Sequence, residues 1–326
     1  MKVLVTGATG FLGGWLVKRL LAEGHDVRII KRASSSLEEL EGLKLDIVSG
    51  DVTDASSLIA ACRGVDTVFH LAGLIGYSRA QREAMHQVNV IGTKNVIDAC
   101  RACDVRKLVH LSSVVAIGAS FDGKQPLNES SIYNVAHLRL GYFDTKYEAE
   151  ALVRTAVAEG HIDAVMINPS TIYGPADAKK GSRGVQLKVA QGRFPFYPPG
   201  GVSIVSVEDV IDAIMLVWQK GKPAERYIIS GENLLIKDVF TQIATIAGVK
   251  PPSIGLPRSA IFALGFVGDQ LEKIGKKGPM NSETAWTSTL YHWFDNSKAQ
   301  RELGLKFKPA SYALEQSVRW IKDNLD

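Results

Sequence analysis

Residues 2–13, KVLVTGATGFLG, place a short aliphatic run directly before a turn that contains three glycines. Residues 2–5 have the composition of a buried strand. Residues 11–23 carry apolar side chains at helical spacing and stop at Gly24, a residue type common just after a helix. The segment therefore predicts a strand, a tight turn and a helix in immediate succession.

The glycine turn has the features of a nucleotide-binding turn. Gly7 allows the tight turn, Gly10 lets the backbone approach a pyrophosphate, and Gly13 allows close packing of the helix on the strand. The phosphates would meet the unpaired N–H groups and the positive dipole end of the helix. We predict nucleotide binding, with a purely structural turn as the alternative. The predicted contacts in this turn are Gly7, Thr9, Gly10, Phe11, Leu12 and Gly13.

The first half of the chain alternates strands with helices. Strands that are separated by helical crossovers form a parallel sheet covered on both faces, and right-handed crossovers make that sheet doubly wound. The predicted fold class is therefore α/β, with a doubly wound parallel sheet of the Rossmann type. Further strands are predicted at residues 27–30, 45–48, 67–71, 107–111 and 164–168, and helices at residues 56–63, 85–103 and 142–159.

The composition changes after Pro169. Residues 175–199 are rich in Gly, Pro, Lys and Arg. We predict an NADP-binding domain over residues 1–168, to which residues 203–230 return, and a smaller substrate-binding lobe formed mainly by residues 169–326. The cleft between the two is the expected site. In this part helices are predicted at residues 209–220, 236–248, 260–267 and 310–324, and a strand at residues 226–230.

The bulk composition argues against nucleic-acid and membrane proteins. The 326 residues are 46% hydrophobic and carry a net charge of +4, which is small for a dedicated nucleic-acid binder. The first apolar run is too short for a signal peptide, and residues 260–267 fall below the roughly 20 residues of a membrane span. Cys100 and Cys103 form C-x-x-C without a second ligand pair for zinc. We expect a cytoplasmic protein without a metal.

Tyr142 and Lys146 form a pair suited to acid–base chemistry. Reducing a ketone with hydride requires a proton donor at the carbonyl oxygen, and a free tyrosine has a pKa of about 10. A lysine four residues later lies one helical turn away on the same face, where its positive charge and that of the cofactor would favour tyrosinate and lower the tyrosine pKa. Ser113, at the carboxyl end of a predicted strand, can hold the substrate oxygen. Of the nine tyrosines, only Tyr142 has a lysine at this spacing; an exposed helical pair is the alternative.

Six motifs, in the same order, resemble those of the extended short-chain dehydrogenase/reductase family within the NAD-dependent epimerase/dehydratase superfamily. The resemblance covers nearly the whole chain. It is nearest to dihydroflavonol-reductase-like and 3β-hydroxysteroid-dehydrogenase-like members and to hopanoid-associated sugar epimerases. The motifs are residues 7–13 (GATGFLG), 70–73 (HLAG), 89–93 (NVIGT), 111–113 (LSS), 142–146 (YFDTK) and 168–175 (NPSTIYGP).

The resemblance implies roles for further residues. Ser113 is preferred to Ser112 because its spacing to Gly118 matches the family pattern. Asp51 resembles an aspartate that meets the adenine amino group, with an N-cap or turn carboxylate as the alternative. Asn89 either orients a helix or a water near the lysine or is a packing residue. The other implied cofactor contacts are Val52, Leu71, Ala72, Gly73, Lys146, Pro169 and Ser170. The resemblance also implies a homodimer built from the helices at residues 85–103 and 142–159.

The end of the second predicted strand indicates which cofactor is used. An NAD enzyme usually places Asp or Glu here, whereas this chain has Lys31 and Arg32 followed by three serines. A 2′-phosphate suits a guanidinium with nearby hydroxyls, and Asp26 lies at the opposite end of the strand. We predict that NADP(H) is preferred to NAD(H), with Arg32 as a contact. The alternative is a solvated basic turn on an enzyme that uses either cofactor.

Together these features predict an enzyme that interconverts a ketone and a secondary alcohol on a small to medium, partly apolar substrate. Tyr77 would cover the substrate. Phe194, Tyr197 and the helix at residues 260–267 would form apolar walls, although ordinary packing is the alternative for each aromatic residue. His70 and His110 lie in apolar strands, where we expect hydrogen-bonded core histidines rather than ligands.

Two other functions stay open. A nucleotide-sugar epimerase would keep its cofactor and return the hydride to the same sugar. A diphosphate site for it would come from Lys179, Lys180, Arg183, Lys188 and Arg193, a run that also fits a solvated loop. A protein that senses NADP without turnover is the other alternative, against which the Tyr142–Lys146 pair counts.

Overall fold

The computed structural model describes residues 1–177, 183–276, 278 and 280–325. Lys179 and Lys180, which were considered as diphosphate ligands, lie outside the described residues. The strands are β1 (Lys2–Thr6), β2 (Asp26–Lys31), β3 (Asp46–Ser49), β4 (Thr67–His70), β5 (Lys107–Leu111), β6 (Ala164–Pro169), β7 (Thr171–Tyr173), β8 (Phe196–Tyr197), β9 (Gly201–Ser206), β10 (Arg226–Ile229), β11 (Glu232–Leu235), β12 (Ile254–Gly255) and β13 (Tyr291–His292).

The α-helices connect and cover these strands. They are α1 (Phe11–Ala22), α2 (Ala55–Cys62), α3 (Arg82–Met85), α4 (Gly92–Ala102), α5 (Gly141–Ala158), α6 (Gly184–Ala190), α7 (Val207–Lys220), α8 (Ile236–Ala247), α9 (Arg258–Lys273), α10 (Ser282–Thr289), α11 (Ser297–Leu303) and α12 (Ala310–Leu325).

A seven-stranded sheet in the order β10-β6-β5-β4-β1-β2-β3 forms the centre of the structure. All of its strand pairs are parallel. Every residue of β4 and β6 is buried, as expected for strands that helices cover on both faces. The predicted doubly wound parallel sheet is therefore confirmed. The strand order changes direction between β4 and β1, the point at which such sheets bind ligands.

Two apolar clusters cover the faces of this sheet. One contains side chains of α1, α7 and α11, and the other contains side chains of α2, α4 and α5. The second face therefore carries α5, the helix that contains Tyr142 and Lys146. The first turns of α5 lie at the carboxyl edge of the sheet, because Lys146 donates to the carbonyl of Leu111, the last residue of β5.

The helix predicted at residues 85–103 differs from the prediction in two respects. It begins earlier, at Arg82, and a π-helical segment, His86–Ile91, separates α3 from α4. A hydrophobic pattern with a period of 3.6 residues does not reveal one inserted residue, so this segment was not predictable from the pattern. Asn89 lies inside it, and π-segments are frequent at functional sites.

A second sheet of four short strands forms the smaller lobe. Here β9 pairs with β11 in antiparallel fashion and with β7 and β13 in parallel fashion. Within the predicted returning segment, residues 203–230, β9 belongs to this second sheet, whereas β10 pairs with β6 of the central sheet. The chain thus crosses between the two sheets along α7.

Candidate active site

The glycine turn after β1 is shaped by close contacts that exclude side chains. Gly7 has φ +71°, and a Cβ there would lie 2.7 Å from the backbone nitrogen of Ala72. A Cβ on Gly13 would lie 2.1 Å from the carbonyl oxygen of Gly7. Gly10 is the N-cap of α1 and supplies no side-chain acceptor, so the helix opens with N–H groups that suit an anion. The glycine turn and the first N–H groups of α1 together fit a dinucleotide pyrophosphate.

A buried hydrogen-bond chain holds this turn to the neighbouring strand and helix. The hydroxyl of Thr6 accepts from the Ala72 N–H at 3.1 Å and contacts Nδ1 of His70 at 2.8 Å. Nε2 of His70 lies 3.1 Å from the hydroxyl of Thr93, which donates to the Asn89 carbonyl at 2.6 Å. The glycine turn, the end of β4 and the π-segment are therefore fixed relative to one another.

The two buried histidines differ in their hydrogen bonding. His70 is bonded through both ring nitrogens, as predicted. His110 was predicted to be satisfied as well, and this is wrong: neither ring nitrogen has a hydrogen-bond partner among the described residues. His110 packs beside His70 on the adjacent strand, and burial lowers its pKa well below the usual value, so the uncharged ring is tolerated there.

Asn89 orders the loop that follows β4. Its side chain accepts from the N–H of Leu74 at 2.7 Å and donates to the Leu74 carbonyl at 2.9 Å. It also donates to the hydroxyl of Thr145 at 3.1 Å. A Cβ on Gly73 would lie 3.4 Å from Nζ of Lys146, so residues 71–74 run beside the lysine. This arrangement gives Asn89 a definite bonding role, beyond packing, between the loop and α5.

The structure brings Ser113, Tyr142 and Lys146 together. Ser113 follows β5, and its side chain is close enough to that of Tyr142 to lower the pKa of the tyrosine. Lys146, one turn further along α5, is 6% exposed and donates from Nζ to the carbonyl of Leu111 at 2.9 Å. A serine hydroxyl, a tyrosine hydroxyl and a lysine thus meet at the carboxyl end of β5.

Burial dominates the ionisation of this group. Burial raises the pKa of Tyr142, the nearby Tyr77 raises it further, and the hydrogen bond from Ser113 opposes both. Lys146 is not among the groups that shift the Tyr142 pKa, so the predicted lowering by the lysine and the cofactor together stays a prediction. Burial also lowers the pKa of Lys146 to about 8, against the opposing charge of Glu150. The Tyr142 hydroxyl therefore keeps its proton at neutral pH, whereas Lys146, with a pKa of about 8, loses its proton at mildly alkaline pH.

Two residues that the sequence analysis did not single out lie beneath this group. Glu150 is fully buried, and its carboxylate accepts a hydrogen bond from Nδ2 of Asn168. The same nitrogen donates to the carbonyl of Ser113 at 2.9 Å. Asn168 appeared only as part of a family motif. A glutamate within an amphipathic helix resembles any surface residue, so only its spacing of four from Lys146 could have marked Glu150.

The remaining predicted cofactor residues lie along the carboxyl edge. Lys31 ends β2, and Arg32 follows it on an exposed turn. Asp51 accepts at Oδ1 from the N–H and hydroxyl of Thr53, both at 2.9 Å, which is the turn carboxylate that was the alternative for this residue. Val52 is buried, and its carbonyl accepts from Asn95 at 3.0 Å.

Pro169 ends β6 and Ser170 follows it, directly after Asn168, whose side chain donates to the Ser113 carbonyl. Pro169 and Ser170 are both buried. The hydroxyl of Ser170 has no hydrogen-bond partner among the described residues. A buried hydroxyl without a partner is costly, and a bound nicotinamide carboxamide would satisfy it. This orphaned group fits the cofactor that the glycine turn implies.

The predicted substrate residues are not all in one place. The ring of Tyr77 lies 6.3 Å from that of Tyr142, so Tyr77 borders the site. Phe194 packs edge-on against Phe196 and Phe240 in the apolar cluster of the smaller lobe. Tyr197 belongs to the same cluster, with Lys237 5.5 Å from its ring. Phe194 and Tyr197 thus show the packing role that was the alternative for them.

No group of three or more His, Cys, Asp or Glu side chains suited to a metal occurs in the part of the chain that the structure describes. Cys100 of the C-x-x-C pair is buried next to Cys62, which raises the pKa of its thiol, and Cys103 contacts the carbonyl of Ile59 at 3.4 Å. None of the described helices is long and apolar enough to cross a bilayer.

Comparison with known proteins identifies the family. The sequence profile of the NAD dependent epimerase/dehydratase family matches residues 3–230. The chain belongs to this family. The predicted membership of the extended short-chain dehydrogenase/reductases is therefore confirmed.

Similar proteins include several reductases. A Synechocystis protein provisionally named as a dihydroflavonol 4-reductase is 34% identical, over 98% of this chain and 94% of its own. Sterol demethylase protein B of Methylococcus capsulatus is 31% identical over 99% of both chains. The 2-alkyl-3-oxoalkanoate reductase of Stenotrophomonas maltophilia is 27% identical over 99% of this chain and 98% of its own.

Solved structures share the fold over the whole chain. The crystal structure of gox2253 superposes with a TM-score of 0.88 at 33% identity, covering 99% of this chain and 98% of that one. UDP-glucose 4-epimerase of Thermotoga maritima superposes with a TM-score of 0.81 at 20% identity, covering 100% of both chains. At that identity the second likeness concerns the fold alone.

Proposed function

We propose that this protein is an NADP(H)-dependent reductase that interconverts a ketone and a secondary alcohol on a small to medium, partly apolar substrate. The observation that carries the proposal is the placement of Ser113 beside Tyr142, with Lys146 one helical turn further along α5 and bonded to the Leu111 carbonyl. These three groups stand at the end of β5, beside the glycine turn that fits a dinucleotide. Two similar proteins named as reductases support the same chemistry.

Each side chain has a definite task in this proposal. When bound, the nicotinamide cofactor supplies the hydride that reduces the carbonyl carbon. Ser113 hydrogen-bonds the carbonyl oxygen, and the Tyr142 hydroxyl gives its proton to that oxygen as negative charge develops. Because burial raises the pKa of Tyr142, the hydroxyl is protonated at neutral pH, which is the form that reduction needs. The Lys146 cation stabilises the tyrosinate that remains.

The preference for NADP(H) rests on charge at the end of β2. Lys31 and Arg32 provide two cations where an NAD enzyme usually has an acidic residue, and Arg32 is exposed on its turn. An exposed guanidinium is available to a 2′-phosphate, to which it can donate two parallel hydrogen bonds.

A titration followed by a turnover assay tests the proposal. Purified protein is titrated with NADPH and NADH, and a panel of ketones is then assayed by absorbance at 340 nm. The proposal expects exchangeable binding that favours NADPH and turnover of apolar ketones. Tightly retained NAD(H), together with no oxidation of NADPH by any ketone, would contradict it.

A nucleotide-sugar epimerase is the second candidate, favoured by the family to which the chain belongs. Lys188 and Arg193 are exposed in the smaller lobe and are available to a diphosphate. Arg183 is not, because it is buried, donates to the Ile172 carbonyl and lies 4.1 Å from the centre of the Tyr173 ring. Interconversion of UDP-sugars without added cofactor would place this candidate first.

We also propose that the protein is a cytoplasmic homodimer whose interface is formed by α4 and α5. The proposal rests on family resemblance. Light scattering should give twice the mass of one chain, and cell fractionation should recover the protein in the cytosolic fraction. A mass of one chain, or recovery in another fraction, would contradict the corresponding part.

A further inference from the structure

Glu150 is a fully buried carboxylate directly behind the proposed active site. It lies one turn after Lys146 on α5. Its carboxylate accepts from Asn168, from Arg154 at 3.1 Å and from Arg226 at 3.2 Å. Burying such a charge is expensive, and apolar residues of similar size often stabilise a fold as well or better. The stability of α5 therefore does not by itself account for a charged group here.

One contact of Glu150 reaches the backbone of Ser113. Nδ2 of Asn168 donates to both the Glu150 carboxylate and the Ser113 carbonyl. Oδ1 of Asn168 has no hydrogen-bond partner among the described residues. Turning the amide over would place that oxygen against two acceptors, so the two acceptors together fix its orientation. Glu150 thereby holds Asn168 in the position that supports Ser113.

A second effect of Glu150 reaches Lys146 through charge. Lys146 is buried, and the negative charge of Glu150 opposes the loss of its proton. The titratable groups that face Lys146 from neighbouring strands are His70 on β4 and His110 on β5. Burial lowers the pKa of both histidines, that of His70 to about 3, so both rings are uncharged at neutral and alkaline pH. Tyr142, on the same helix, is protonated in that range.

We propose that Glu150 is a positioning residue for the proposed reduction: its carboxylate fixes the Asn168 amide against the Ser113 backbone and keeps Lys146 cationic at neutral pH. The inference rests on the proposed function. Arg154 and Arg226 form ion pairs with the carboxylate, and Arg226 also donates to the carbonyls of Glu129 and Ser131. Glu129 and Ser131 belong to the segment that joins Ser113 to α5. Through Arg226, Glu150 is therefore connected to that segment as well as to Lys146 on its own helix.

The pH dependence of kcat tests the electrostatic part. In Glu150→Gln, the positive charges of Arg154 and Arg226 are no longer balanced by a carboxylate. The Lys146 cation is therefore less stable, and its pKa is lower. The alkaline fall in kcat for ketone reduction should therefore move to lower pH by about one unit. The matched control is Glu148→Gln, which removes a half-exposed carboxylate from the same helix and should leave the profile unmoved. A folded Glu150→Gln enzyme whose kcat falls equally at every pH would overturn the proposal.

Arg154→Gln should shift the alkaline limb of the kcat profile in the opposite direction. Arg154 is partly exposed, so its loss is tolerated more easily than the loss of Glu150. Without this cation, the carboxylate acts more strongly on Lys146, and the alkaline limb should move to higher pH. If Glu150→Gln fails to fold, this variant still decides: an unmoved limb in Arg154→Gln overturns the proposal.

The positional part is tested with Asn168→Ser, which breaks the bridge and leaves Glu150 paired with its arginines. We expect kcat to fall about tenfold with KM little changed and the alkaline limb in place. An unchanged kcat would overturn this part. Failure of the proposed function is recognised separately, because wild type would then reduce no ketone. In that case, NMR titration of ¹³Cε-labelled lysine still reports whether the Lys146 pKa is lower in Glu150→Gln, and an equal pKa would overturn the inference.

Discussion

The rings of Tyr77 and Tyr142 meet edge to face, with their centroids 6.3 Å apart and their planes at 72°. Tyr77 lies in the loop after β4 that Asn89 orders, so its ring is held over the proposed proton donor. Packing of this kind is directional, so the Tyr77 ring constrains the orientation of the Tyr142 ring.

Removing this ring should impair turnover. We expect Tyr77→Ala to lower kcat/KM for ketone reduction about tenfold, whereas Tyr77→Phe keeps the ring and should stay within twofold of wild type. Steady-state kinetics on both variants checks this. Tyr147→Ala, which removes a half-exposed ring that stacks on Tyr133, is the control. Equal losses in Tyr77→Ala and Tyr147→Ala would show that the contact with Tyr142 is not what matters.

Tyr142→Phe should separate an enzyme from a cofactor-binding sensor. Because the substrate oxygen loses its proposed proton donor, kcat should fall by about 10²–10⁴-fold while NADPH affinity changes little. Single-turnover kinetics and fluorescence titration of NADPH measure the two quantities. Tyr312→Phe, whose hydroxyl bonds Glu208 in the smaller lobe, should retain full activity. Unchanged kcat in Tyr142→Phe would contradict the reductase and favour the sensor.

Sequence reasoning located the sheet well because its strands are hydrophobic runs with clear ends. The strands predicted at residues 27–30 and 107–111 match β2 and β5 within one residue at each end. The strands β9 and β13 were not predicted. The strand β13 has only two residues, and it pairs with β9, which lies far away in the chain. Local pattern carries little information about such strands.

The candidate site was predictable to a similar extent. The spacing of Tyr142 and Lys146 on one helix was readable, and so was the glycine turn. The hydrogen bonds between distant segments could not be predicted, because the Asn168 side chain meets Glu150 and Ser113 only in the folded chain. The effect of burial, which raises the pKa of Tyr142, was also not predicted, because the sequence does not show how deeply the ring lies in the folded chain.

Cofactor preference should depend on Arg32. Arg32→Glu places a carboxylate where the 2′-phosphate would lie, so affinity for NADPH should fall at least about tenfold while that for NADH holds or rises. Calorimetric titration with both cofactors measures this. Arg101→Glu, a charge reversal at the exposed end of α4, controls for net charge. If both variants lose NADPH affinity equally, the effect is general electrostatics and Arg32 is not a 2′-phosphate contact.

Lys146→Met should abolish activity yet make the protein more stable at neutral pH. The folded-state pKa of Lys146 is about 8, below its usual 10.5, so keeping the cation buried costs on the order of 3 kcal/mol below pH 8. Between pH 8 and 10.5 the unfolded chain holds this proton and the folded chain does not, so wild type gains stability as pH rises.

The advantage of Lys146→Met in free energy of unfolding should therefore be largest at pH 7 and shrink by pH 10. Urea unfolding at both pH values measures it, and the exposed Lys18→Met provides the control, with a difference from wild type that does not change with pH. If Lys146→Met is destabilised equally at pH 7 and pH 10, the lost hydrogen bond to Leu111 outweighs the burial of the charge. In that case the lysine is not held against a desolvation cost.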